Sequence, residues 1–212
     1  MVAMQPKETV PTTRRERNKA DKLQRIRDAA LALFLTKGYD AATTREIAKV
    51  AGVALGTLFV YAENKRDLLF LIVNDDLEAV IDEAELLVNS RRGFVANAVA
   101  VAELHFSRFA RKPDISRLAL REMYFYDTGT QSMRFHQTRV DLRGIFTKIA
   151  TYSTETGETS CDDVGTVGDI LFALYQVQVR TFLNDKELDI NKARKNFKAQ
   201  CEQLINGLRP RP

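Results

Sequence analysis

Apolar residues recur three and four positions apart along almost the whole chain, and no stretch alternates apolar with polar as a half-buried strand would. Over residues 21–37, Leu23, Ile26, Ala30, Leu33 and Phe34 fall on one helical face. Ile47, Ala48 and Ala51 then mark a second, short helix that Thr43 or Thr44 can cap and Gly52 can end. A third starts near Ala54 or Leu55 and runs to about Tyr61. Val53 and Leu58 fit a small core between these two, which turns Leu55, Gly56, Thr57, Val60 and Tyr61 outward. From Lys65 onward nearly everything reads as helix, with breaks at 90–93, 112–114, 127–129, 156–163 and 184–188. The pattern predicts an all-α fold of about nine helices, a small head followed by a larger body, and it shows no internal repeat.

A short helix, a glycine-bearing turn and a second helix over 43–69 make a device for reading a DNA groove. Within the second helix Gly56 costs roughly 1 kcal/mol relative to alanine, so a close neighbour is expected there, and the neighbour expected is a phosphate backbone. Charge points the same way. Residues 1–70 hold 13 Lys and Arg against 8 Asp and Glu, a net +5, while the remainder of this +4 chain carries −1. A basic head on a near-neutral body suits phosphate binding, which releases condensed counterions. Residues 1–20, with Pro6, Pro11 and the cations Arg14, Arg15, Arg17 and Lys19, are expected to be a disordered basic arm. Such an arm can enter a minor groove; a solubilising tail that touches nothing has the same composition.

Ile26, Ala29, Ala30, Phe34, Gly38, Tyr39, Thr43, Thr44, Ile47, Ala48, Ala51, Gly52, Val53, Gly56, Thr57, Leu58, Tyr61, Lys65 and Leu68 together resemble the signature of the tetracycline-repressor (TetR) family of transcriptional regulators, over about fifty residues. The resemblance implies a helix-turn-helix DNA-binding domain at 21–70 and a regulatory, ligand-binding and dimerisation domain at 71–212. It also implies that Thr44 contacts phosphate, that Arg45 reads a base edge, that Thr57, Val60 and Tyr61, which the spacing turns outward with Leu55 and Gly56, lie on the recognition helix, and that Lys65 sets its ammonium by a phosphate. Two positions depart from the family. Phe59 stands where tyrosine is usual and lacks a phenolic donor, leaving its ring to pack on a thymine methyl or sugar or to fill core; Ala62 stands where phenylalanine is common and leaves a smaller plug.

The last two helices, about 164–183 and 189–208, are joined by a short polar link and should lie antiparallel. Their stripes, Val167, Ile170, Leu171, Leu174, Val177 and Phe182 on one and Ile190, Ala193, Phe197, Cys201, Leu204 and Ile205 on the other, serve either the monomer's own core or a homodimer. The family resemblance favours the homodimer, whose two recognition helices would reach successive major grooves of a near-palindromic operator. The resemblance implies an inducer pocket in the aromatic-rich middle of the chain, for which Phe106, Phe109, Met123, Tyr124, Tyr126, Phe135, Phe172 and Gln176 are candidates as apolar walls with a few polar groups.

Other chemistries find little support. His105 and His136 lack the i, i+4 partners of a metal site, and Cys161 and Cys201 are too few and too distant for a staple, so no metal and no cofactor is expected. There is no G-x-S-x-G, no glycine-rich phosphate loop and no H-E-x-x-H, which argues against an enzyme. With no apolar run near 18 residues and a polar, basic start, the protein is expected to be cytoplasmic and to make no membrane contact. The expected function is a homodimeric regulator, a repressor released from double-stranded operator DNA by a small apolar effector. The second hypothesis is an interaction protein whose body docks another protein instead of a metabolite.

Overall fold

The computed structural model describes residues 13–208. Among them the chain forms nine α-helices and no strand: α1 (Arg14–Thr36), α2 (Thr44–Val50), α3 (Leu55–Phe59), α4 (Lys65–Leu87), α5 (Phe94–Arg111), α6 (Pro113–Glu122), α7 (Ser132–Glu155), α8 (Val164–Asn184) and α9 (Ile190–Leu208). They divide into two compact units. The first takes the chain up to Asp75 together with Arg121–Phe135; the second takes Asp76–Leu120 and the chain from His136 on.

Helix α1 starts at Arg14, seven residues before the pattern predicts. The cause is a capping box: the Thr13 hydroxyl accepts from the Glu16 backbone N–H at 3.2 Å, and the Glu16 carboxylate accepts from the Thr13 N–H at 2.9 Å. The basic cluster Arg14, Arg15, Arg17 and Lys19 therefore lies on exposed helix and not in a disordered arm. The rest of the expected arm, residues 1–12, lies outside the described residues. Helix α1 buries Ile26, Ala29, Ala30 and Phe34 in the first unit.

The core of the second unit is built mainly from α5, α7, α8 and α9, around Phe106, Phe146, Phe172, Tyr175, Phe182 and Phe197. Of the two apolar stripes on the last helices, Val167, Leu171 and Phe182 of α8 and Ala193, Phe197, Cys201 and Ile205 of α9 are buried within this unit, while Ile170 and Val177 of α8 are exposed. Helix α8 lies so close to α7 that a Cβ on Gly168 would stand 2.8 Å from both the Cα and the backbone nitrogen of Thr147. Gly168→Ala should therefore destabilise the chain by about 1–3 kcal/mol, because backbone cannot yield as a side-chain tip can; urea unfolding checks this.

His105 sits inside this core with Nδ1 2.9 Å from the Val101 carbonyl and its ring edge-on to Tyr175 at 5.0 Å. Burial disfavours its charged form, with Arg108 adding to the effect, and holds its pKa down at about 4 against an ordinary 6.5. Between those values the unfolded chain takes up a proton that the folded chain refuses. Stability should thus be intact above about pH 6.5 and fall as pH drops toward 4. Denaturant midpoints measured across that window should slope down with acid in the wild type and less steeply in His105→Gln.

Candidate nucleic-acid interface

Helix α2 opens on a second capping box, in which Thr43 is the cap and Thr44 the first helical residue. The Thr43 hydroxyl accepts from Glu46 N at 3.2 Å, and the Glu46 carboxylate accepts from Thr43 N at 3.1 Å. Lys37 also grips this carboxylate; that ammonium first, then Thr43, holds Glu46 at about 2, far below the usual carboxylate range. At the other end, Val53 N donates to Ala48 O at 3.0 Å and Gly52 N to Lys49 O at 3.2 Å, while Gly52 takes φ +63. This paired closure around a left-handed residue ends a helix sharply and favours glycine. It turns the chain directly into α3, with Ile47, Ala51 and Leu58 buried between the helices.

Helix α3 is shorter than the predicted span. It closes at Phe59, after which Val60 N bonds Thr57 O and Tyr61 N bonds Leu58 O in the tighter three-residue manner. Gly56 and Arg45 are exposed, and Thr44, Leu55 and Thr57 are half-buried. Val60 is 70% exposed and Phe59 42%, so Phe59 does not fill core; Ala62 is fully buried. Among the described residues, nothing beyond its chain neighbours and its own helix backbone stands within 4 Å of where a Gly56 Cβ would be. Packing within the chain therefore does not require this glycine.

Two expected contact residues lean on the head itself. The Tyr61 hydroxyl reaches back to the Lys19 carbonyl at a long 3.4 Å. Lys65 donates to the Asp40 carbonyl at 3.0 Å and lies 4.7 Å from the centre of the Tyr39 ring, in the turn after α1. An ammonium carries three donors, so this bond steers Lys65 and leaves it further bonding capacity.

Behind α3, the start of α4 carries a fully buried carboxylate, Asp67. It accepts from Glu63 N at 2.9 Å, Thr130 N at 3.0 Å, Gln131 N at 2.8 Å and the Tyr126 hydroxyl. Burial, then Asp67, pushes the Tyr126 phenol far above its ordinary pKa. The Tyr126 ring stacks on Phe70 at 4.2 Å, and Phe70 meets Phe135 at 4.7 Å. Asp67 and Gln131 are absent from the residues that the sequence singles out. The N-x-x-D spacing of Asn64 and Asp67 is a legible cap, and Asp67 N does bond Asn64 Oδ1 at 2.9 Å, but nothing local marks Gln131 as its distant partner.

The eight candidate pocket residues do not form one cluster within either unit. Met123, Tyr124, Tyr126 and Phe135 belong to the first unit, where Tyr124 is exposed and Tyr126 and Phe135 are buried in the aromatic stack. Phe106, Phe109, Phe172 and Gln176 belong to the second. Phe106 and Phe172 are buried, and the guanidinium groups of Arg139 and Arg143 lie 5.1 and 5.4 Å from the Phe172 ring centre. Among the described residues no group of three or more His, Cys, Asp or Glu could hold a metal, and no helix is long and apolar enough to cross a membrane.

A family model described as bacterial regulatory proteins, tetR family, matches residues 26–72, the stretch from α1 into α4 that builds this geometry. Over residues 26–72 the chain carries a TetR-family head. Proteins of the TetR family are transcriptional regulators and not enzymes. Among its relatives is the fatty acid metabolism regulator protein of Bacillus subtilis, 24% identical over 91% of this chain and 98% of the relative. The fold is shared with the transcriptional regulator FadR of Bacillus subtilis in complex with stearoyl-CoA, at 24% identity, TM-score 0.68, 87% of this chain and 98% of that one. It is shared too with Thermus thermophilus FadR in complex with lauroyl-CoA, at 22% identity, TM-score 0.65, 90% of this chain and 96% of that one. In this TetR head Gly56→Ala should raise stability by about 0.5–1 kcal/mol, since the new methyl meets nothing and a helical glycine is removed. A rise in thermal midpoint measures it.

Proposed function

We propose that this TetR-family regulator is a homodimeric repressor that acts in the cytoplasm, binds a near-palindromic operator through α2 and α3, and leaves it when a long-chain fatty acyl-CoA binds the second unit. The observation that carries the DNA reading is the surface of α3: an exposed Gly56 for which the chain itself gives no reason, beside exposed Phe59 and Val60. A backbone that needs room outward suits a phosphate-lined groove. Arg45 and Lys65 flank that surface, and α1 adds the exposed cations of its first turns.

Dimerisation is supported by α8. Ile170, Ala173 and Val177 are exposed at helical spacing, so one unit leaves an apolar strip that a two-fold copy can cover. Two heads would then meet successive major grooves, about 34 Å apart. The effector is supported by a relative described as a fatty acid metabolism regulator protein and by the two FadR structures in complex with stearoyl-CoA and lauroyl-CoA. The aromatic interior around Phe106 and Phe172 suits an acyl chain, with Phe109 and Gln176 at its margin and the cations Arg139 and Arg143 suited to an anionic end.

Titration of fluorescent DNA from the chain's own upstream region, at several salt concentrations, tests the DNA reading. Equal affinity for unrelated duplexes would sink it. Arg45→Ala should cost about 1–3 kcal/mol and relax one base position, whereas Lys65→Ala should weaken all duplexes alike and reduce the salt slope by about 1. Gly56→Ala should weaken operator binding while the fold gains stability. Palmitoyl- or stearoyl-CoA should lower operator affinity by about 5 to 150-fold, and free CoA should not; no response to any acyl chain length would remove the effector from the proposal.

A further inference from the structure

Each polar atom of the Gln131 side chain is used inside the first unit, and one bond reaches the end of the recognition segment. Gln131 Nε2 donates to the Tyr61 carbonyl at 3.2 Å. Its Oε1 accepts from Arg134 at 3.1 Å and, more distantly, from Asn74 at 3.4 Å. Its backbone is tied as well, the N–H to Asp67 at 2.8 Å and the carbonyl to Asn74 Nδ2 at 3.0 Å. The residue is 6% exposed. An arginine on the oxygen and a backbone carbonyl on the nitrogen fix which way the amide points, since each neighbour can play only one role.

Tyr61 closes the turn that follows α3, where carbonyls no longer find partners within the helix. We infer that Gln131 is a positioning residue for DNA recognition: by holding the Tyr61 carbonyl, 70 residues away in sequence, it fixes the far end of α3 on the head and so the presentation of Phe59, Val60 and Tyr61. The inference rests on the proposed reading of α3 as the recognition helix. Gln131 touches no DNA in this role. It acts through Tyr61, and Asp67 acts through Gln131 by anchoring its backbone.

The consequence is selective. Phosphate contacts by the cations of the head do not depend on the pitch of α3, whereas base contacts do. The test compares two duplexes of equal length, the chain's own operator and a scrambled version, by fluorescence anisotropy at one salt concentration. Gln131→Met keeps the length and loses the donor to Tyr61. Its operator Kd is expected to rise about five- to tenfold, the loss of one buried hydrogen bond, with the scrambled Kd and the far-ultraviolet circular dichroism unchanged.

An unaltered ratio of the two affinities, or equal weakening on both duplexes, would overturn the inference. If the methionine variant fails to fold because Arg134 and Asn74 lose their acceptor, Gln131→Asn decides instead. It keeps the amide, falls one methylene short of Tyr61, and should show the same selective loss; wild-type selectivity in that variant would overturn the inference equally. A wild-type chain that fails to prefer its operator sinks the DNA reading and this inference together, while normal wild-type preference with a selective Gln131→Met sinks neither.

Discussion

A carboxylate cut off from water survives only where donors replace the lost hydration, because an unmatched buried charge costs several kcal/mol. Asp67 meets that demand with three backbone N–H groups and one phenol, and all but the Glu63 donor come from residues 126–131. The chain between α6 and α7 is therefore not free to run on as helix. Gly129 lies at φ +111 with its Cα so near the carboxylate that a Cβ would stand 2.5 Å from Oδ1. Phe125, 94% exposed, is held in the left-handed region at φ 56, and Arg66 binds its carbonyl at 3.3 Å. Such a backbone costs an aromatic residue about 1–3 kcal/mol, and the bonds converging on Asp67 offset it.

Helix periodicity made most of the architecture legible, since the apolar spacing that buries Ile26 and Phe34, or Phe197 and Cys201, is the same spacing that defines each helix. The helix-turn-helix was legible for a second reason: Thr43 with Glu46 and the left-handed Gly52 are local chemistry. Thr13 and Glu16 offered the same local signal, but prolines and arginines around them read as disorder. The pattern predicted a break of three residues at 127–129, whereas the non-helical stretch runs over 123–131 because Asp67 organises it from 59 residues or more away. Partnerships of that reach leave no trace in spacing, which is also why Gln131 could not be found.

An apolar stripe states that a helix face is buried and not against what. On α9 the stripe is consumed by the unit's own core through Ala193, Phe197, Cys201 and Ile205, and exposed positions around it carry Lys192, Arg194, Lys195 and Lys198. Helix α8 differs because apolar residues occupy more than one face: Val167, Leu171 and Phe182 point inward while Ile170, Ala173 and Val177 do not. A proposed dimer contact thus rests chiefly on α8, with α9 adding polar rim. That division suits an interface whose apolar centre excludes water and whose charged edge sets orientation.

Glycines sort the same way, by whether the chain explains them. Gly52 is required by its left-handed backbone and Gly168 by the nearness of Thr147, so both belong to folding. Gly56 has neither cause: its backbone is ordinary, its surroundings are open, and helix formation would be better served by alanine. A residue that weakens its own helix without easing any internal contact points to a contact outside the chain. In the proposed DNA reading, on the face that carries Val60 and Phe59, that contact is the rim of a groove, where one methyl group would decide how closely backbone meets phosphate.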